Sequence, residues 1–112
     1  MSVVLRRWSE TEDVPQLGVL RRRLEAEGLR TAWFSETPGG TQGEHQHPFP
    51  ETRWVLSGHL HVHAAGEAFL LGPGDRIDVP ADTPHRVDVA GLTPVVWVSG
   101  APASALPQAS AA

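Results

Sequence analysis

A chain of 112 residues, 40% hydrophobic and 20% charged, has room for one globular domain and one core. The net charge of −4 excludes a broadly cationic nucleic-acid-binding face, and no apolar run approaches the roughly 20 residues that cross a bilayer. All 9 basic residues are arginine, and cysteine and tyrosine are absent, so a Schiff-base lysine, a thiolate nucleophile and a tyrosine general acid are excluded and a bound ion would fill the gap.

The first residues, Met1 to Asp13, lack the central apolar block and cleavage site of a secretory signal, which predicts a cytoplasmic protein. Leu17, Leu20 and Leu24 recur at helical spacing. A helix is therefore expected over Val14–Glu27, capped by Asp13 and ended by Gly28, against a competing strand through Val19–Leu24. Arg21, Arg22 and Arg23 then read as its solvated face. After Gly28 come short apolar or alternating runs bounded by Gly and Pro, an all-β pattern: Leu29–Ser35, Thr52–Ser57, His59–His63, Ala68–Leu71, Arg76–Val79, His85–Val89 and Val95–Val98. Ala64–Glu67 reads as a hairpin turn and Gly72-Pro73-Gly74-Asp75 as a tight reversal, so consecutive strands are expected to pair antiparallel. The organisation expected is an N-terminal strand and helix (1–28) packing on a barrel (29–100), followed by a disordered Ala/Ser/Pro tail (101–112).

His45-Gln46-His47 carries the chemistry. In an extended segment residues i and i+2 project from one face, so both imidazoles can address one point. Pro48 and Pro50 break regular structure after them and let the chain bend so that the Glu51 carboxylate returns to that point. A fourth ligand comes from elsewhere. His85 is the candidate, because Pro84 holds the preceding backbone extended and the alternation of His85, Val87 and Val89 faces an apolar interior. Three imidazoles and one carboxylate suit one divalent transition metal (iron, manganese, nickel, zinc or copper) rather than magnesium or calcium.

These residues make the chain resemble the cupin superfamily, in particular its small single-domain bacterial members. The first cupin motif, G-x5-H-x-H-x3-E-x6-G, is met by Gly39, His45, His47, Glu51 and Gly58. The second, G-x5-P-x-G-x2-H-x3-N, is met by Gly74, Pro80 and His85 after an inter-motif stretch of fifteen residues. Asp82 stands where the family usually has glycine and Val89 where it usually has asparagine; aspartate tolerates a positive-φ turn, and Val89 removes no ligand. The resemblance implies a double-stranded β-helix, the cupin jelly roll, of six to eight strands with one short N-terminal helix and the motif histidines inside the cup.

Function follows from the ligand set only to a class. One reading is a metal-dependent enzyme, of dioxygenase or isomerase type, acting on a small polar molecule; the other is a non-catalytic sensor or binding module of the same fold. Arg53 shares strand parity with Glu51 and can reach the same interior to pair an anionic substrate, or else forms a surface salt bridge. His59, His61 and His63 form a second array, but Leu60 and Val62 must face the core, which puts the three imidazoles in solvent without a carboxylate or second segment to complete a shell. Trp33, Phe34, Trp54 and Trp97 are expected in the core, and Asp75 as a turn residue. Sheet edges that need covering predict a homodimer, with no nucleic-acid or membrane partner.

Overall fold

The computed structural model describes residues 2–9 and 13–105. Nine strands and one helix follow in the order β1 (Val4–Arg6), α1 (Leu17–Ala26), β2 (Leu29–Glu36), β3 (Thr41–His45), β4 (Glu51–Ser57), β5 (His59–Ala64), β6 (Glu67–Leu71), β7 (Arg76–Val79), β8 (His85–Ala90) and β9 (Val95–Pro102). They form two antiparallel sheets, ordered β1-β7-β4-β9-β2 and β3-β8-β5-β6. The expected all-β double-sheet architecture with a single short helix is present, with nine strands instead of six to eight.

Consecutive strands do not generally pair, contrary to the expectation from the turns. Among the described residues, only β5 and β6 are sequence neighbours that share a ladder, closed by Ala65 and Gly66, both at positive φ as a two-residue hairpin demands. The Gly72–Asp75 turn instead carries the chain from one sheet to the other. Its Gly74 and Asp75 bond the backbone of Val55 on β4, and the Asp75 carboxylate accepts from the N–H groups of Gly72 and Trp8. Sheet crossing of this kind places consecutive segments in opposite sheets that face each other across the core.

Inward residues of both sheets, among them Val55, Leu60, Val62, Leu71, Ile77, Val87 and Val95, form the main core. A second cluster lies on the outer face of the five-stranded sheet, where Leu20 and Leu24 of α1 cover Trp54 and Val98. The helix is shorter than expected. Val14 precedes Pro15, which disfavours helical geometry there, and Gln16 takes the N-cap position in an extended conformation without a side-chain cap; Asp13 caps nothing and its carbonyl accepts the Trp8 indole N–H. Gly28, at φ 84°, ends the helix as expected and donates its N–H to Glu25.

Two aromatic expectations fail. Trp54 and Trp97 are buried, but Trp33 is 54% and Phe34 39% exposed, because β2 is a sheet edge with a neighbour on one side only. At the other end of the chain β9 runs on to Pro102, pairing Ala101 and Pro102 with Arg30 and Leu29; 106–112 lie outside the described residues. Among the described residues no helix is long and apolar enough to cross a membrane.

Candidate metal centre

The two motif segments meet through strand register. His45 at the end of β3 pairs directly with His85 at the start of β8, and their ring centroids stand 4.2 Å apart. His47 lies just beyond β3, its ring 4.9 Å from His45 and 5.5 Å from His85, and Phe49 stacks on it at 5.0 Å. The Asp82 N–H donates to the His47 carbonyl at 2.7 Å, tying the turn before β8 to the segment after β3. Asp82 holds φ 58°, the left-handed conformation expected of it in place of glycine.

Glu51 opens β4 in the facing sheet. Its Oε1 lies 3.5 Å from His85 Nε2, 4.0 Å from His47 Nε2 and 3.4 Å from a terminal nitrogen of Arg53. One ligating atom from each of His45, His47, Glu51 and His85 falls within 4.8 Å of the others. Sequence reasoning named these four, and the fold brings all four together.

The donor set fits a metal ion. His45 Nδ1 lies 2.7 Å from the Gly43 carbonyl and His85 Nδ1 2.8 Å from the Thr83 carbonyl, contacts in which only the ring can donate. The proton therefore sits on Nδ1, and each Nε2 presents a lone pair. Glu51 Oε1 and His85 Nε2 are buried without a hydrogen-bond partner, a costly state for two acceptors unless a cation takes them.

Electrostatics prepare the same state. Burial pushes the Glu51 carboxyl up, but the His85 ring, which donates to it once Nε2 is protonated as well, the Arg53 guanidinium and His47 outweigh it and hold the group at about 2, so it is an anion at neutral pH. Burial lowers His47, opposed by Glu51 and reinforced by His45, His85 and Arg53. Neutral imidazole and ionised carboxylate are the forms that bind metal.

Two neighbours, Gln42 and Trp97, were not legible as site residues. Gln42 accepts from Arg53 at 2.9 Å, but a β-bulge between Gln42 and His45 breaks the alternation that would have placed it. Trp97, read as core, lies under the Arg53 guanidinium with 5.3 Å from Cζ to the ring centroid. Arg53 itself is inside the barrel and pairs Glu51, so its surface salt-bridge alternative falls away.

The second histidine array lies where expected, with Leu60 and Val62 buried and His59 and His61 exposed on the outer face. One correction applies. β8 alternates as well, and its outward Asp88 brings a carboxylate to 3.6 Å from His63, so the array does have a carboxylate from a second segment beside it. No array residue joins the interior group.

A family model described as a cupin domain matches residues 32–100. No curated protein matches the sequence. Among solved structures, the DMSP lyase DddQ from Ruegeria pomeroyi is similar at 23% identity and a TM-score of 0.64, over 71% of this chain and 41% of that one. A cupin 2 domain-containing protein from Halorhodospira halophila is similar at 19% identity and a TM-score of 0.73, over 96% of this chain and 83% of that one. A predicted oxalate decarboxylase from Thermotoga maritima is similar at 18% identity and a TM-score of 0.61, over 88% and 78%. At these identities the likeness is one of fold, and the chain spans about two fifths of the lyase.

Proposed function

The chain belongs to the cupin family, and on that premise we propose that it binds one divalent transition-metal ion through His45, His47, Glu51 and His85 and presents it to a small polar molecule inside the barrel. The observation that carries this reading is the pair of buried acceptors without a hydrogen-bond partner, Glu51 Oε1 and His85 Nε2, facing each other across the two sheets. Four ligands leave two positions of an octahedral shell for a substrate. When bound, such an ion supplies Lewis-acid polarisation of a substrate oxygen or a place for dioxygen, which suits isomerisation and dioxygenation. The protein's own part is to keep Glu51 ionised and to fix the imidazole tautomers of His45 and His85.

A second reading, a non-catalytic sensor or binding module, is favoured by one observation: among the described residues no further histidine or carboxylate joins the group of four to serve as a separate acid or base. Oxygen-uptake measurements on the iron(II)-loaded protein with diols, thiols and diketones distinguish the two, and flat traces throughout favour the module. We also propose a cytoplasmic bacterial homodimer, since β2 is an edge strand bearing the exposed Trp33; light scattering reads the mass.

The metal itself is tested by elemental analysis of protein purified without a histidine tag. About one transition-metal ion per chain is expected. His47→Ala with His85→Ala should abolish it, while His59→Ala with His61→Ala should not; the reverse pattern moves the site to the outer array.

A further inference from the structure

A metal ion accounts for only half of the unsatisfied polar atoms in this interior. Among the described residues, the buried side-chain atoms without a hydrogen-bond partner are Glu51 Oε1, His85 Nε2, Arg53 Nε and Trp97 Nε1. The first two are lone-pair acceptors, which a cation takes. The last two are N–H donors, which a cation cannot satisfy, because it offers no lone pair. They belong to side chains in contact with each other, both only 4% exposed, on adjacent strands β4 and β9 of one sheet. Arg53 commits a terminal nitrogen to Gln42 and Glu51, which fixes the guanidinium and leaves its Nε N–H for something else.

Charge gives the sign of what is missing. The Glu51 carboxylate and the Arg53 guanidinium cancel, and the histidines bind metal as neutral rings, so a divalent ion leaves the site positive. Two N–H donors in a positive, desolvated environment are a receiver for an anionic oxygen, and a guanidinium side paired with an indole N–H suits a carboxylate.

We propose that the small molecule this site takes is a small carboxylic acid, its carboxylate received by Arg53 Nε and Trp97 Nε1 while a neighbouring oxygen of the same molecule faces the metal ligands. This rests on the metal-site reading above for the second contact, whereas the two donors are independent of it. Arg53 and Trp97 thereby set specificity for charge.

Calorimetric titration with lactate and with lactamide, its neutral counterpart of nearly equal size, tests this on the full chain loaded with nickel(II). Lactate is expected to bind at least tenfold more tightly than lactamide. Trp97→Phe, which keeps the ring and removes the N–H, and Arg53→Gln, which removes the charge, should each weaken lactate severalfold or more and erase the preference, with metal content measured alongside. Equal binding of the two probes, binding of neither, or variants that retain metal and bind lactate as the parent does would overturn the proposal. Absence of metal from the parent chain defeats the metal reading instead, and the lactate preference is then read on the metal-free protein, where its presence supports the carboxylate receiver and its absence refutes it.

Discussion

Glu51 Oε1 and His85 Nε2 stand 3.5 Å apart in the interior, each contributed by a different sheet, and neither has a hydrogen-bond partner. Opposed acceptors of this kind make the carboxylate the charge that draws a cation in. Losing a group that merely orients a ligand costs about 10- to 100-fold in metal affinity, so Glu51→Gln, which keeps the shape and removes the charge, is expected to cost more than that. Competition against a chelating dye measures it; an affinity within tenfold of the parent would show that Glu51 is not a ligand.

The same burial gives the metal-free protein a definite pH dependence. His47 titrates below its ordinary 6.5 in the folded chain, chiefly through burial, so the unfolded chain binds more protons as pH falls through 6.5 and stability declines from there downward. Glu51 is held at about 2 against an ordinary 4.5; its contribution is complete above 4.5 and is lost as pH falls from 4.5 towards 2. A difference of that size corresponds to roughly 3 kcal/mol. Urea unfolding of the metal-free protein across this range should show stability falling in two stages, and Glu51→Gln should shrink the lower one, to which Glu27 beside Arg76 and Asp88 beside Thr41 also contribute. A curve for the parent that is flat from neutral pH to about 3 contradicts the assignment.

Much of this was legible in the chain because Gly and Pro bound nearly every strand and because His45, His47, Glu51 and His85 are ligand types at spacings that converge only if the chain is extended. What escaped was set by tertiary pairing. β3 was not read as a strand, since Thr41-Gln42-Gly43-Glu44 is polar and contains glycine; it is held by β8 and not by its own propensity. The placement of Asp88 beside His63 depends on the register of β5 against β8, which no local pattern encodes. Exposure of Trp33 depends on β2 being an edge, a property of strand order and not of strand sequence.

Arg76 supplies a test away from the site. Its guanidinium donates to both carboxylate oxygens of Glu27 at 2.6 and 2.8 Å, reaches Asp78 and lies over the Trp54 ring, so it clamps the end of α1 to β7. Breaking a fully buried pair costs about 3–5 kcal/mol, but Glu27 keeps access to water, so Arg76→Met is expected to lose about 2 kcal/mol. Arg76→Lys should not restore it, because one ammonium cannot reproduce the forked contact. Denaturant midpoints read the stability, and metal content should be unchanged; loss of metal in Arg76→Met would mean that the helix supports the site.

The link between the two motif segments runs through one backbone bond, from Asp82 N–H to the His47 carbonyl, made by a residue at φ 58°. Asp82→Gly is expected to preserve it, since glycine enters that conformation freely, and to leave metal affinity within a few-fold of the parent. Asp82→Val puts a β-branched side chain where the left-handed region is strongly disfavoured, at a cost of about 1–3 kcal/mol. The strain is relieved by letting the turn move, which withdraws the support of the His47 carbonyl and shifts the start of β8 where His85 stands. Metal affinity should therefore fall in Asp82→Val together with stability, while Arg76→Met lowers stability alone. If both variants lose stability and both retain metal equally well, the turn does not position the ligands.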